Sequence, residues 1–362
     1  MRILKIITLI LIANISFGQK KFTSVINLDN TSIKNQQRTG TCWSFATASF
    51  IESEVLRIKN ESFDLSEMYM VRNIYEDKAR NYFLRQGKAN FSQGGLSHDF
   101  INAIDKAGLL PEKSYRGKPK NEEVLNHTEL FDVLNGYLKS AVKSKLHTDY
   151  WFEGFNAILD VYFGRKPYSF TFEGKSITPK KFAESIGINP KNYIELTSVS
   201  HHALYKYFVL EIPDNYSSGL YYNVKINELK EQTDYALKNG FTVSWDGDVS
   251  EPGFGRNSGV IELENEGIVD FNYHEITKER KKEFETYKTT DDHLMHIVGK
   301  AKDEKGKMYY IVKNSWGSAG EYDGYYYMTE KYFLLKTIAI MIHRDAMMKS
   351  IKPVIFIQDA LK

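Results

Sequence analysis

Apolar residues along this chain follow two rhythms, and the change from one to the other divides it. A polar, turn-forming run, Asn35-Gln36-Gln37-Arg38-Thr39-Gly40-Thr41, gives way at Cys42 to an apolar set: Trp43, Phe45, Ala46, Ala48, Phe50 and Ile51. That pattern predicts a buried helix starting at Cys42. Helical stretches follow over residues 65–82 and 96–107, the second closed by Gly108, and again over 121–144 and 148–162. From Phe241 to His343 the pattern becomes strand-like, with strands predicted at 309–312, 324–328 and 337–342. A charged turn at 302–307 connects the strand at Tyr309 to an earlier apolar run opened by Asp292-His293-Leu294-Met295-His296-Ile297-Val298-Gly299. The Lys/Glu-rich stretch 278–288 reads as a solvated helix face. The predicted class is α+β: a helical front and a strand-rich back that do not fold independently, with residues about 113–240 inserted between them and largely helical.

The 362 residues, 42% hydrophobic and 26% charged, describe a globular chain. Its first eighteen residues read as an export signal. Arg2 and Lys5 precede a mostly apolar run from Ile6 to Phe17, and Ser16 and Gly18 supply small residues before a cut near Gly18-Gln19. A membrane anchor would need about 20 apolar residues, and Lys20 and Lys21 follow at once. Removing the signal takes two of 48 basic residues and leaves 46 against 46 acidic ones, so charge supports neither a nucleic-acid partner nor a stable membrane anchor. The expected mature protein, 19–362, is therefore periplasmic or secreted.

Candidate chemistry starts from the single cysteine. Without a second Cys, Cys42 is an inert core thiol, an intermolecular link or a nucleophile. At the N-terminus of the predicted helix, unpaired N–H groups and the dipole favour a thiolate, and the nucleophile becomes the preferred reading. A thiolate needs an imidazolium partner held by a third group. Two strands joined by a tight connection can bring His293 beside Asn314, twenty-one residues later, so that Asn314 accepts the imidazole N–H and Trp316 shields that bond. Metal readings fail on spacing. His293 and His296 face opposite sides of a strand, and His274-Glu275 has Lys278 where a second ligand would stand. Asp246 and Asp248 read as turn residues, and His201, His202 and His343 as surface or structural.

These residues also carry a family resemblance. Gln36, Gly40-Thr41-Cys42-Trp43-Ser44-Phe45, Asp292-His293 and Asn314-Ser315-Trp316-Gly317 resemble the papain-like cysteine peptidases. The plain papain layout puts His and Asn about 130–150 residues after the Cys. Here His293 lies 251 residues on, and Thr39-Gly40 stand where the papain motif has Cys-Gly. Both departures match the bleomycin hydrolase or aminopeptidase C branch, whose members resemble this chain in lacking structural disulfides and in carrying a long insertion. Asp64-Leu65-Ser66-Glu67, Gln93-Gly94-Gly95-Leu96, Ile177-Thr178-Pro179-Lys180-Lys181-Phe182 and Val243-Ser244-Trp245-Asp246-Gly247-Asp248 extend the likeness over residues 35–345.

The resemblance implies a two-lobed papain-like fold, its helical lobe carrying the Cys and its β-rich lobe the His and Asn. It further implies that Cys42 is the nucleophile, His293 the base and then acid, and Asn314 the orienting group. Gln36, six residues before Cys42, would donate to the oxyanion with the Cys42 N–H; Gln37 is the rival, and spacing favours Gln36. Gly94, Gly95 and Trp316 would contact substrate. No cofactor or metal is implied. The partners would be peptide substrates and, by resemblance alone, further copies in a hexamer. The tail 346–362 is either a cleft-filling arm that fixes the substrate N-terminus or an ordinary packed tail. Only 23 residues separate Gln19 from Cys42, which leaves no room for a long inhibitory pro-segment. The leading function is an exported cysteine peptidase of aminopeptidase type. The alternatives are an endopeptidase, a transglutaminase-like acyltransferase and a catalytically silent binding protein.

Overall fold

The apolar run after Thr41 folds as helix α1 (Cys42–Lys59), buried without interruption from Cys42 to Val55. A helix buried on every side must be surrounded, and α1 is the axis of the molecule. Around it lie α2 (Glu67–Leu84), α3 (Ser97–Ala107), α4 (Thr128–Lys143), α5 (Tyr150–Phe163) and α6 (Pro179–Ser185). The computed structural model describes residues 19–118, 123–144, 148–264 and 272–357. The expected signal at 1–18 and the chain end at 358–362 lie outside them. Helix α4 starts later than expected, at Thr128, where the Asn126 side chain accepts the Thr128 N–H at 3.1 Å. Among the described residues no helix is long and apolar enough to cross a membrane.

The strands are β1 (Phe22–Asn27), β2 (Phe170–Phe172), β3 (Lys175–Ile177), β4 (Tyr193–Thr197), β5 (Tyr207–Val209), β6 (Leu220–Asn223), β7 (Val243–Gly247), β8 (Phe254–Gly255), β9 (Val260–Ile261), β10 (His293–Asp303), β11 (Met308–Lys313), β12 (Tyr325–Thr329) and β13 (Thr337–His343). Three further helices, α7 (Ile226–Lys238), α8 (Tyr273–Glu285) and α9 (Glu330–Lys336), lie among them. Apart from the β2–β3 hairpin, the strands form one sheet in the order β5-β6-β4-β13-β7-β10-β11-β12-β9-β8, and β1 pairs with β10. Strand β10 is long enough to serve two partners along one edge: residues 293–297 pair with β7 and 299–303 with β1. Its side chains alternate between two cores. Leu294 joins the helical core, while Met295 and Ile297 join the β core. His296 accordingly meets α1 through Ser49 Oγ, 2.9 Å from its Nδ1.

One expectation gains a detail and another needs correction. Residues 113–240 are largely helical, through α4 to α7, and they also supply strands to the main sheet, where β4 pairs with β13 and β6 with β4. Strand β4 is buried at all five positions, and a strand covered on both faces lacks the alternation that reveals strands in a sequence. Asp246 is no turn residue: it sits in β7, buried, opposite Leu294. Asp248 follows that strand and accepts the Ser250 and Thr290 N–H groups at 2.8 and 2.7 Å. The described part of the tail takes the packed alternative. Gln232 on α7 donates to Ala346 O at 2.7 Å and accepts the Met348 N–H at 2.8 Å, and Ile351 and Phe356 enter the β core.

One buried ion pair ties α3 to the sheet. His98 Nδ1 lies 2.6 Å from Glu195 Oε2 on β4, and the His98 N–H donates to the other Glu195 oxygen. Burial opposes the imidazolium, but Glu195 and Asp99 outweigh it and raise His98 to about 9. A folded value above the unfolded one of about 6.5 makes the contribution complete below that pH and lost as pH rises through about 9. Urea unfolding at pH 6.5 and 9.5 should therefore show a loss on the order of 3 kcal/mol. His98→Gln should lack that drop.

Candidate active site

Helix α1 opens without a side-chain cap; Thr41 O receives the N–H groups of Ser44 and Phe45 instead. Cys42 is its first residue, so its N–H has no partner within the helix and remains directed out of the helix start. The segment before it is strapped to the β lobe. The Gln36 N–H donates to Ser315 O at 2.8 Å, and the Gly317 N–H to Lys34 O at 3.0 Å. The Gln36 side chain is fixed at both ends: Oε1 accepts from Ser315 Oγ at 2.7 Å, and Nε2 donates to Thr39 O at 2.7 Å. One amide hydrogen remains for a substrate oxygen. Gln37 is exposed, and its Oε1 accepts the Leu125 N–H, away from Ser315. Geometry thus separates the two glutamines as spacing suggested.

His293 begins β10, and Asn314 directly follows β11, the strand that turns back beside it. Their side chains meet at 2.8 Å, Nε2 to Oδ1. The same Asn314 oxygen accepts the Ser315 N–H at 2.7 Å, which orients the amide, so Nε2 must carry the proton and Nδ1 the free lone pair. Trp316 stacks on the imidazole, centroids 4.8 Å apart and planes 29° from parallel, with the Arg256 guanidinium 4.3 Å from the indole. Cys42 lies beside the same strand: the Leu294 backbone, next to His293, acts on its sulfur to favour the thiolate.

Electrostatics around the sulfur are less simple than the helix-dipole argument predicts. Burial pushes the Cys42 thiol up to about 12, and Asp291 and Asp246 add to the rise against hydrogen bonds from the Leu294 and Trp43 backbones. Burial likewise pulls His293 down to about 4, opposed by Asn314. Each group alone prefers its neutral form, so the thiolate is expected only when its proton passes to the imidazole. Asp246 and Asp291 are neighbouring acids. Burial first, then neighbouring carboxylates, lifts both above the usual range, Asp291 to about 7.

Gly94 and Gly95 approach α1 as the rim of a cleft would. A methyl group on Gly95 would stand 2.9 Å from the Trp43 ring, and one on Gly94 would run into Asp214 Oδ2. The Trp43 indole N–H donates to Gln93 O at 3.0 Å, and Lys78 Nζ to Gly94 O at 2.5 Å. Asp214 arrives from the segment between β5 and β6, held by Asn90 and Ser92 at 2.9 and 2.7 Å. Sequence reasoning missed Asp214, Asp246 and Asp291. Parity held a usable signal for one of them: Val243, Trp245 and Gly247 share one face of β7, leaving Ser244 and Asp246 turned toward the helical lobe, where Ser244 meets Ser97 at 3.0 Å.

His201 and His202 also prove less ordinary than they read. Their Nε2 atoms lie 3.1 and 2.6 Å from the Glu211 carboxylate, and the three donor groups are within 4.8 Å of one another. Both rings line a cavity of about 390 Å³ beside Arg280 and Phe284.

Residues 162–358 match the model of the Peptidase C1-like family, and residues 24–152 that of the Papain family cysteine protease. Among curated relatives, Cysteine proteinase 1, mitochondrial, of Saccharomyces cerevisiae (strain JAY291) is 27% identical over 86% of this chain and 74% of its own. Aminopeptidase C of Lactobacillus delbrueckii subsp. lactis is 24% identical over 86% of this chain and 79% of its own. The crystal structure of Pepw from Lactobacillus rhamnosis superposes with a TM-score of 0.74 at 18% identity, covering 91% of this chain and 83% of that one, a likeness of fold.

The two glutamines can be told apart in solution. Gln36→Ala should lower kcat on a peptidyl fluorogenic amide by roughly 10²–10³-fold with little change in KM, as loss of an oxyanion donor does. Gln37→Ala, at an exposed position, should stay within about twofold of the parent.

Proposed function

The chain belongs to the Peptidase C1-like family and is a papain-like cysteine peptidase; from that premise we propose that it is an aminopeptidase, removing the first residue of peptides through a Cys42 thioester. The observation that carries the catalytic assignment is the 2.8 Å contact between His293 and Asn314, on a strand whose next residue, Leu294, has its backbone acting on the Cys42 sulfur. The exopeptidase reading is supported by relatives named Aminopeptidase C and by Asp214, which crowds the rim at Gly94 and limits how far a substrate extends on that side. Export, read from the first eighteen residues, belongs to the same proposal.

In this mechanism the Cys42 proton moves to His293 Nδ1 while Asn314 holds the Nε2–H. The sulfur forms a bond to the scissile carbonyl carbon, and the oxygen becomes an oxyanion facing the Gln36 amide and the Cys42 N–H. His293 returns its proton to the departing nitrogen as the C–N bond breaks, leaving the acyl group on sulfur. Water then gives a proton to His293 and its oxygen to the acyl carbon, and the C–S bond breaks with the proton returning to Cys42. Trp316 and the buried surroundings exclude solvent from the His293–Asn314 bond.

An epoxide-type thiol inhibitor should label the protein once, at Cys42, with loss of activity. The free-amine aminoacyl amide should be hydrolysed faster than its N-acetyl form. Equal rates would remove the exopeptidase reading, and an active Cys42→Ala protein would remove the nucleophile.

A further inference from the structure

Three carboxylates gather on the α1 side of the sheet; Lys78 is the nearby cation that acts on Asp291 and Asp214, and among the described residues none of the three has an ion pair within 4 Å. Asp246 is 4% exposed, and its register partner is Leu294, the residue whose backbone reaches the Cys42 sulfur. It lies close enough to Asp291 for the two to share one proton. Beyond that shared proton, no donor reaches either Asp246 oxygen, and Asp291 Oδ2 is buried and unpaired as well. Asp214 adds a third negative group across Gly94, its Oδ2 turned to the rim.

The nearby cations are already engaged. His98 is bound to Glu195 and stands 3.5 Å from Asp99. Lys78 Nζ donates to Gly94 O and Ser92 Oγ and makes no ion pair within 4 Å among the described residues. A buried carboxylate oxygen with no donor is costly unless something else supplies one. The shared proton is a resting substitute: two adjacent carboxyls cannot both ionise until a positive group arrives.

We propose that Asp246, Asp291 and Asp214 form the binding site for the free α-ammonium group of the peptide N-terminus. The inference rests on the aminopeptidase reading and supplies its recognition element. The argument is one of reach. In the first residue of a peptide the α-nitrogen is two bonds from the scissile carbonyl carbon, so its counter-charge has to stand beside the nucleophile. Asp246 and Asp291 are the carboxylates whose charge bears on the Cys42 sulfur. The ammonium takes the place of the shared proton, offers three N–H donors to the unpaired oxygens, and puts the carbonyl before the sulfur. A lysine side chain of a longer peptide offers similar chemistry from another source.

The test compares one aminoacyl fluorogenic amide in three forms: free amine, N-acetyl and des-amino. A fourth substrate is N-acetyl-lysyl-aminoacyl amide. The parent enzyme and the variants Asp246→Asn and Asp291→Asn are assayed with each. The expected result is a parent kcat/KM that favours the free amine over the des-amino form, and a fall in that ratio of roughly thirtyfold or more in each variant. If the parent prefers the free amine to the N-acetyl form but the variants keep the free-amine to des-amino ratio, the carboxylate assignment fails and the aminopeptidase reading survives. If the parent hydrolyses free-amine and N-acetyl forms equally, both fail. A parent preference for the lysyl substrate overturns the α-ammonium in favour of a side chain. Should the variants not fold, the parent's own ratio decides: equal rates on the free-amine and des-amino forms overturn the proposal.

Discussion

The seating of Cys42, the first residue of α1, beside the strand that begins at His293 is the point on which the two lobes depend. It requires the start of a buried helix to press against the start of a central strand, and neither element can shift without moving a core. Helix α1 is enclosed by the helical core, and β10 has residues in both cores. A few ångströms of play would separate sulfur from imidazole, and dense packing on both sides removes that play. The strap between residues 34–36 and 315–317 serves the same end from the other direction, fixing Gln36 against the segment that follows Asn314.

That geometry has an electrostatic consequence. A thiol at a helix start is favoured as an anion by the dipole, yet here burial and two carboxylates act the other way. Taken alone, the thiol and the imidazole are each pushed toward the neutral form by burial. Placing carboxylates beside a nucleophile that must become an anion is unfavourable unless they have another task. Binding a cationic substrate group resolves the conflict, because the arriving charge neutralises the acids at the moment the thiolate is needed.

The candidate catalytic residues were legible because each sits at an element boundary with a local sign. Cys42 begins a helix after turn residues, His293 opens a strand, and Asn314 directly follows the next one. Gln36 and the glycine rim were legible only through resemblance, since nothing local distinguishes Gln36 from Gln37; contacts with Ser315 and Thr39 do so. The acid cluster was not legible. Asp214, Asp246 and Asp291 come from three separate stretches, and a single aspartate beside glycine reads as a turn.

Periodicity, turn residues and the lone cysteine determined the fold class, the order of the two lobes and the position of the nucleophile, because these follow from neighbours within a few residues. Which strands joined the sheet between positions 193 and 223, where the tail packed as far as Phe356, and which buried carboxylates faced Cys42 were decided only by tertiary structure. Those outcomes depend on pairings across a hundred residues or more, and on desolvation that exists only once both cores have closed.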